Sequence, residues 1–270
     1  MTNDRGRRER APVAVPRTFL LLAAVACGLF ALPLAGLVLR APWDRAATEL
    51  GTPEVREALR LSLVCSLSAT ALAVLLGLPL GWVLARVDRP GIGLLRGLVM
   101  LPVVLPPVVG GIALLVAFGR RGIVGALLER GFGVSLPFST AGAVLAETFV
   151  AMPFFVLTME GALRALDLRL EDAARTLGAP PWTVLLRVTL PLLKTSLVAG
   201  AVLCWARALG EFGATITFAG NFPGRTQTLP LAVYVALETR PEAAFLLSLV
   251  LLLVSLLVLV ALRRRWLWIS

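Results

Sequence analysis

The sequence predicts an all-α integral membrane protein with six transmembrane helices, and three observations carry that reading. First, 58% of the 270 residues are hydrophobic and only 16% are charged, with a mean hydropathy of +0.88, whereas a soluble domain is about 45–50% apolar and about 25% charged. Second, the apolar excess is gathered into runs of about twenty residues or more, the length a helix needs to cross about 30 Å of hydrocarbon. Third, the basic residues flank those runs. The net charge of +10 comes almost entirely from arginine, Lys194 being the sole lysine. In a soluble chain that balance would suggest nucleic acid; here membrane topology is the simpler cause, and no nucleic-acid partner is expected.

The first run, Thr18 to Leu39, follows a tail (1–17) carrying Arg5, Arg7, Arg8, Arg10 and Arg17. It exceeds a signal peptide's apolar stretch, and no small-residue cleavage site follows in Arg40-Ala41-Pro42-Trp43, so it reads as a membrane anchor. Further runs cover about Leu59–Ala85, Gly97–Phe118, Thr140–Leu163, Leu192–Ala219 and Ala243–Leu262. Backbone polar groups in lipid must be satisfied within the segment, so the spans are expected to be helices. Pro102, Pro106, Pro107, Gly110 and Gly111 should bend or break the third, because each proline removes an amide donor and crowds the preceding turn. Such breaks line transport pathways in some membrane proteins, and in others they are packing kinks; Pro106 and Pro107 are therefore candidate pathway residues. The six spans form one domain over 18–262, followed by a tail at 263–270 with Arg263, Arg264 and Arg265.

Six spans put both termini on one side. The two tails, the 86–96 loop and the 164–191 loop hold about fifteen arginines, against about eight in the loops near 40–57, 119–139 and 220–241. The positive-inside rule then makes both termini cytoplasmic in the plasma (inner) membrane, although Arg120 and Arg121 fall outside.

Several chemistries are excluded. The chain has no histidine, which removes Ser–His and Cys–His nucleophilic catalysis and the commonest metal ligand. Cys27, Cys65 and Cys204 each lie within an apolar run, without metal-ligand spacing, and read as buried structural thiols. An aspartyl protease needs two facing intramembrane carboxylates, yet the spans offer only Glu147, Glu160 and Glu211. An ion-driven secondary transporter, which usually shows internal repeats and more spans, is not excluded and stays as the weaker alternative. A Walker A loop needs a glycine-rich turn before its lysine; Lys194 follows Pro191-Leu192-Leu193 and reads as snorkelling to the interface.

The loop 164–191, RALDLRLEDAARTLGAPPWTVLLRVTLP, reads as a short helix, a break and a second helix. Asp167 suits the N-cap. Leu170, Ala173, Ala174 and Leu177 recur at helical spacing as an apolar face, with Glu171, Asp172 and Arg175 on other faces. Gly178 stands where a left-handed residue would end the helix, and Pro181 suits the first turn of the next one. A helix this short is marginal alone and needs a supporting surface; a place on the membrane surface and a partner protein both fit that need.

The spacing resembles the EAA motif of ABC-importer permeases: EAA, three residues, Gly, nine residues, Ile, any residue, Leu-Pro. Asp172-Ala173-Ala174, Gly178, Val188, Leu190 and Pro191 hold that register, with Asp172 in place of Glu and Val188 in place of Ile. Glu171 supplies a second carboxylate beside the motif. The resemblance implies the type I ABC importer permease fold. It also implies a cytoplasmic coupling helix built from Glu171, Asp172, Ala173, Ala174, Arg175, Gly178, Leu190 and Pro191. Its implied partners are two cytoplasmic ATP-binding subunits that hold ATP and Mg, a second copy of this chain, an extracytoplasmic oxyanion-binding protein and membrane lipid. No cofactor and no catalysis belong to this chain itself. The segment Ala206 to Tyr234 is most similar to the molybdate permeases of that superfamily, which implies molybdate transport with tungstate as co-substrate. Sulfate and thiosulfate permeases share the Leu-Gly-Glu-aromatic-Gly core and are the alternative.

Arg207 and Glu211 lie one helical turn apart in the fifth span. Intramembrane charges usually face the protein interior or a water-filled cavity. The pair is expected either to neutralise itself locally or to belong to a gate or subunit interface. Gly210 and Gly213 would admit a close neighbour. Thr215 and Thr217 offer hydroxyls to an oxyanion, or to their own helix backbone.

Overall fold

The computed structural model describes residues 16–266. Most of the 1–17 tail, with Arg5, Arg7, Arg8 and Arg10, and the end of the 263–270 tail lie outside them. The chain divides into two compact units, one ending at Ala41 and one beginning at Pro42.

The first unit is the helix α1 (Arg17–Arg40), apolar throughout and with none of its residues buried. Cys27 is exposed on it while Cys65 and Cys204 are buried, which corrects the expectation that all three thiols are interior: a helix that buries nothing buries no cysteine.

The second unit opens with a 3-10 turn (Trp43–Arg45) and α2 (Ala46–Leu50), then enters the long α3 (Pro53–Arg86), with Pro53 at its first turn. Small residues recur on the buried face of α3: Ser62, Ser66, Ala69, Ala73, Gly77 and Gly81. Without a hydrophobic force between helices in lipid, such a stripe lets two backbones approach and gain dispersion contacts. The neighbour is α7 (Thr140–Ala165), introduced by Ser139, whose hydroxyl accepts the Gly142 amide at 3.1 Å. A Cβ on Gly81 would come within 3.2 Å of the Met159 Cβ and the Val156 carbonyl. Between the two run α4 (Ile92–Val104), α5 (Pro107–Phe118) and a surface helix, α6 (Ile123–Phe132).

After α7 come α8 (Leu168–Thr176), α9 (Pro181–Val184), a π-turn (Leu185–Thr189), α10 (Leu190–Leu192) and α11 (Lys194–Leu209). Then α12 (Gly213–Ala219), α13 (Leu229–Thr239) and α14 (Pro241–Trp266) follow. Three of its apolar clusters each join three helices. Ala69, Ala73, Phe155, Met159, Cys204 and Ala208 join α3, α7 and α11. Ala58, Leu229, Ala236, Ala244 and Leu247 join α3, α13 and α14. Leu114, Ala146, Val150, Ala214 and Phe218 join α5, α7 and α12. Two hydroxyls of the α3 stripe hold neighbours: Ser66 accepts from Trp205 Nε1 at 2.8 Å, and Ser62 accepts the Leu229 amide at 2.6 Å.

Among the described residues, four helices are each long and apolar enough to cross a membrane, and the number reaches six when two bent pairs each count as one span. The expected third span is one of those pairs: α4 and α5 are bent by 118° about Leu105 and Pro106, both extended. The fifth expected span, Leu192–Ala219, is corrected in shape. It begins with a 74° bend before Lys194, and its helix stops at Leu209, resuming as the short α12 at Gly213. The segment 220–241, read as a loop, contains α13, and the loop 119–139 contains α6.

Candidate functional site

Two constellations gather the residues singled out from the sequence. The first is the break between α11 and α12. Arg207 Nη2 lies 2.7 Å from Glu211 Oε2, with the Glu211 side chain 1% exposed and that of Arg207 28%. The other oxygen, Oε1, accepts the Ala214 amide at 2.8 Å. The first amides of a helix lack intrahelical acceptors, so Glu211 serves the start of α12 as well as neutralising Arg207. The pair therefore exists as expected, but it straddles a helix end instead of riding one continuous helix.

The break also meets the α4–α5 break. A Cβ added to Gly213 would fall 2.8 Å from Pro107 Cβ, and one added to Gly111 would fall 2.7 Å from Thr217 Cβ and 2.9 Å from the Ala214 carbonyl. Pro106, as N-cap, and Pro107, in the first turn, thus start α5 where α12 starts. Pro106, Pro107, Arg207, Glu211, Thr215 and Thr217 are brought to one neighbourhood. Thr217 donates to the Gly213 carbonyl at 2.7 Å, spending its hydroxyl on its own helix. The buried Thr215 hydroxyl and Glu147 Oε2 find no hydrogen-bond partner among the described residues. Glu147, singled out in the sequence only as an intramembrane carboxylate, is 1% exposed on α7 beside Ala146, which packs with Ala214 and Phe218 of α12.

The second constellation is the 164–191 segment. Asp167 caps α8 by accepting the Arg169 amide at 3.0 Å. At the other end Ala179 N–H donates to the Ala174 carbonyl and Gly178 N–H to the Arg175 carbonyl, the paired bonds of a Schellman cap. Gly178 is left-handed there, with φ +83°. The apolar face points outward: Leu170 is 48% exposed and Leu177 89%. The one buried residue of α8 is Glu171, at 1%. Its Oε1 accepts from Arg86 Nη2 at 2.9 Å and from the Thr189 hydroxyl at 3.0 Å, and its Oε2 lies 3.4 Å from Arg175 Nη2. Asp172 is exposed and pairs with Arg175 at 3.2 Å. The structure thus turns Glu171 inward, while Asp172, Ala173 and Arg175 face out. Leu190 and Pro191 open α10, next to Thr189.

A second cluster shares α3 with this constellation. Glu160 of α7 receives Arg96 at 2.7 Å and Arg164 at 3.0 Å, and both arginines also donate to the Leu84 carbonyl of α3. Sequence reading treated Glu160 only as an intramembrane carboxylate. Its partner Arg164, four residues on, was the available signal.

Comparison with known proteins gives the family. Residues 77–267 match the family described as binding-protein-dependent transport system inner membrane component. The chain is 48% identical over 254 residues to the molybdenum transport system permease protein ModB of Mycobacterium tuberculosis, covering 94% of this chain and 96% of that one. It is 36% identical over 241 residues to the sulfate transport system permease protein CysW of Synechococcus elongatus, covering 85% and 83%. The fold is similar, at 17% identity and a TM-score of 0.73, to a chain of a bacterial alginate ABC transporter solved with its alginate-pentasaccharide-bound periplasmic protein, covering 91% of each. The broken spans around Glu211 and the short capped helix carrying Asp172-Ala173-Ala174 are thus features of a multi-pass inner membrane protein, and the chain belongs to the family of binding-protein-dependent transport system inner membrane components.

Proposed function

We propose that the chain is the pore-forming permease subunit of an ATP-driven importer for molybdate, with tungstate as co-substrate. The single observation that carries the coupling part is α8: a helix closed at both ends, anchored by a buried carboxylate, and presenting Leu170, Ala173 and Leu177 to the outside. An apolar helix face left exposed supports a protein surface that covers it. The occupant is a cytoplasmic ATP-binding subunit that carries the ATP and Mg, one for each copy in a permease dimer. An extracytoplasmic binding protein delivers the oxyanion. ATP binding draws the two α8 helices together, and the breaks at Pro106–Pro107 and Gly210–Phe212 let the pathway open on the other side, an alternating-access cycle. A pathway must hold its ion weakly enough to release it, which suits a site with Arg207 neutralised and hydroxyls nearby.

Cargo rests on similarity. Identity to ModB exceeds that to the sulfate permease CysW, 48% against 36%, and sulfate is the second reading. Uptake into vesicles of the assembled complex decides: molybdate and tungstate compete with each other at equal excess, and sulfate does not. Sulfate uptake at comparable rate overturns the cargo.

Gly178→Val tests the coupling helix. A Cβ there meets no neighbour, so the whole effect is backbone. A β-branched residue at positive φ is a conformational outlier, and the left-handed conformation costs about 1–2 kcal/mol for an ordinary residue. Uptake should fall at least tenfold while membrane abundance stays near wild type; normal uptake removes the coupling-helix reading.

Orientation is tested by labelling in a background without the native cysteines. Leu177→Cys, on an 89% exposed position, should react with an impermeant thiol reagent only from the cytoplasmic side. Arg225→Cys should react only from outside. The reverse pattern inverts the topology.

A further inference from the structure

Every exposed residue of α8 is available to a partner, but its one interior residue is a carboxylate with three donors from three elements. Arg86 is the last residue of α3, Arg175 lies one turn along α8, and Thr189 closes the π-turn before α10. Arg86 is itself held: its side chain is 17% exposed and its guanidinium lies 5.7 Å from the centre of the Trp82 ring. A cation over an aromatic face gains attraction without spending its donors.

Resting on the coupling reading above, we propose that Glu171 makes no contact with the ATPase and is the joint through which α8 moves α3. Glu171 is a positioning residue: it fixes the register of α8 against the end of a 34-residue helix. That helix is locked to α7 through Gly77 and Gly81, where added Cβ atoms would come within 2.9 Å of Phe155 and 3.2 Å of Met159. α7 in turn shares the Ala146, Val150, Ala214 and Phe218 cluster with α5 and α12, the elements at the two breaks. A displacement of α8 is thus delivered to the break region through one ion pair and two close-packed helix contacts. Arg86→Gln leaves Glu171 with Arg175 and the Thr189 hydroxyl, and Glu171→Gln leaves Arg86 17% exposed beside Trp82. Neither variant strands a fully buried charge, so the geometric role is separable from folding.

The test uses the assembled complex with ATP and molybdate. Glu171→Gln keeps side-chain size, Arg86→Gln shortens the side chain, and each removes the charge pairing. Each should leave the ATPase subunits bound and ATP hydrolysis within about twofold of wild type, and should lower molybdate taken up per ATP at least tenfold. The double variant should be no worse than the poorer single. Spin labels at the exposed Thr176 and Asp88 should show a distance that shifts on ATP binding in the wild type and does not shift in Glu171→Gln. Unchanged uptake per ATP overturns the joint, and so does loss of the ATPase subunits from Glu171→Gln, which would make the residue a docking contact. If Glu171→Gln fails to reach the membrane, Thr189→Val removes one of the three donors and should uncouple partially; full coupling in that variant also overturns the joint. Ala173→Trp separates this proposal from the reading beneath it. A bulky side chain on the exposed face should release the ATPase subunits, and if they stay bound and active it is the coupling helix itself that fails.

Discussion

Arg207→Leu is expected to strip most of the protein from the membrane. The substitution leaves the Glu211 carboxylate, 1% exposed, with its Ala214 amide but without its counter-charge. Breaking a buried pair costs about 3–5 kcal/mol, a large share of the stability of a marginal fold. Glu211→Leu should do less harm, because Arg207 is 28% exposed and a long arginine stem can carry its head toward water; what it loses is the acceptor for the first turn of α12. The double variant Arg207→Leu/Glu211→Leu should recover abundance relative to Arg207→Leu. Membrane abundance, ATP hydrolysis and uptake are measured together. Recovery of all three identifies a pair that only neutralises itself. Recovery of abundance and hydrolysis without uptake places the pair in the gate. Wild-type abundance in Arg207→Leu contradicts the buried pairing altogether.

Gly111→Leu should abolish uptake. Even the first carbon of any side chain at Gly111 would lie 2.7 Å from Thr217 Cβ and 2.9 Å from the Ala214 carbonyl, and backbone cannot step aside as a flexible side chain does. Overpacking of this kind costs about 1–3 kcal/mol, and here it also pries α12 from α5 where both spans are broken. Gly111→Ala should show a milder loss of thermal stability in detergent. Gly97→Ala is the control, since nothing stands within 4 Å of an added Cβ there. Uptake by Gly111→Leu within twofold of wild type would mean that the two helices separate freely and that their contact is no part of the pathway.

What could be read in the sequence follows the range of each physical cause. The apolar runs, the proline break at Pro106–Pro107, the Asp167 cap and the Gly178 stop are local, and each was legible because its cause lies within a few residues. The Arg207–Glu211 pair was legible as a spacing, but the helix end between its members was not. Glycine at 210 and 213 permits a break without requiring one, and the close approach of Pro107 to Gly213 comes from another span. Glu171 stands in the sequence only as a second carboxylate beside the motif, off the apolar face of α8, and nothing within a few residues says which face turns inward. Its true direction depends on Arg86, 85 residues away. The helix α13 did carry a signal, Pro230 in its first turn after Thr228, but a run of 11 residues is too short to claim a span.

The double closure of α8 bears on how a partner would find it. Ordering a residue's backbone costs about 1–2 kcal/mol, and a free nine-residue segment would owe that sum at the moment of docking. Asp167, the Gly178 turn and Glu171 settle it when this chain folds. Association then removes little conformational freedom from α8, so the affinity its small face can generate is not consumed in shaping it. A subunit that leaves and returns meets the same surface each time.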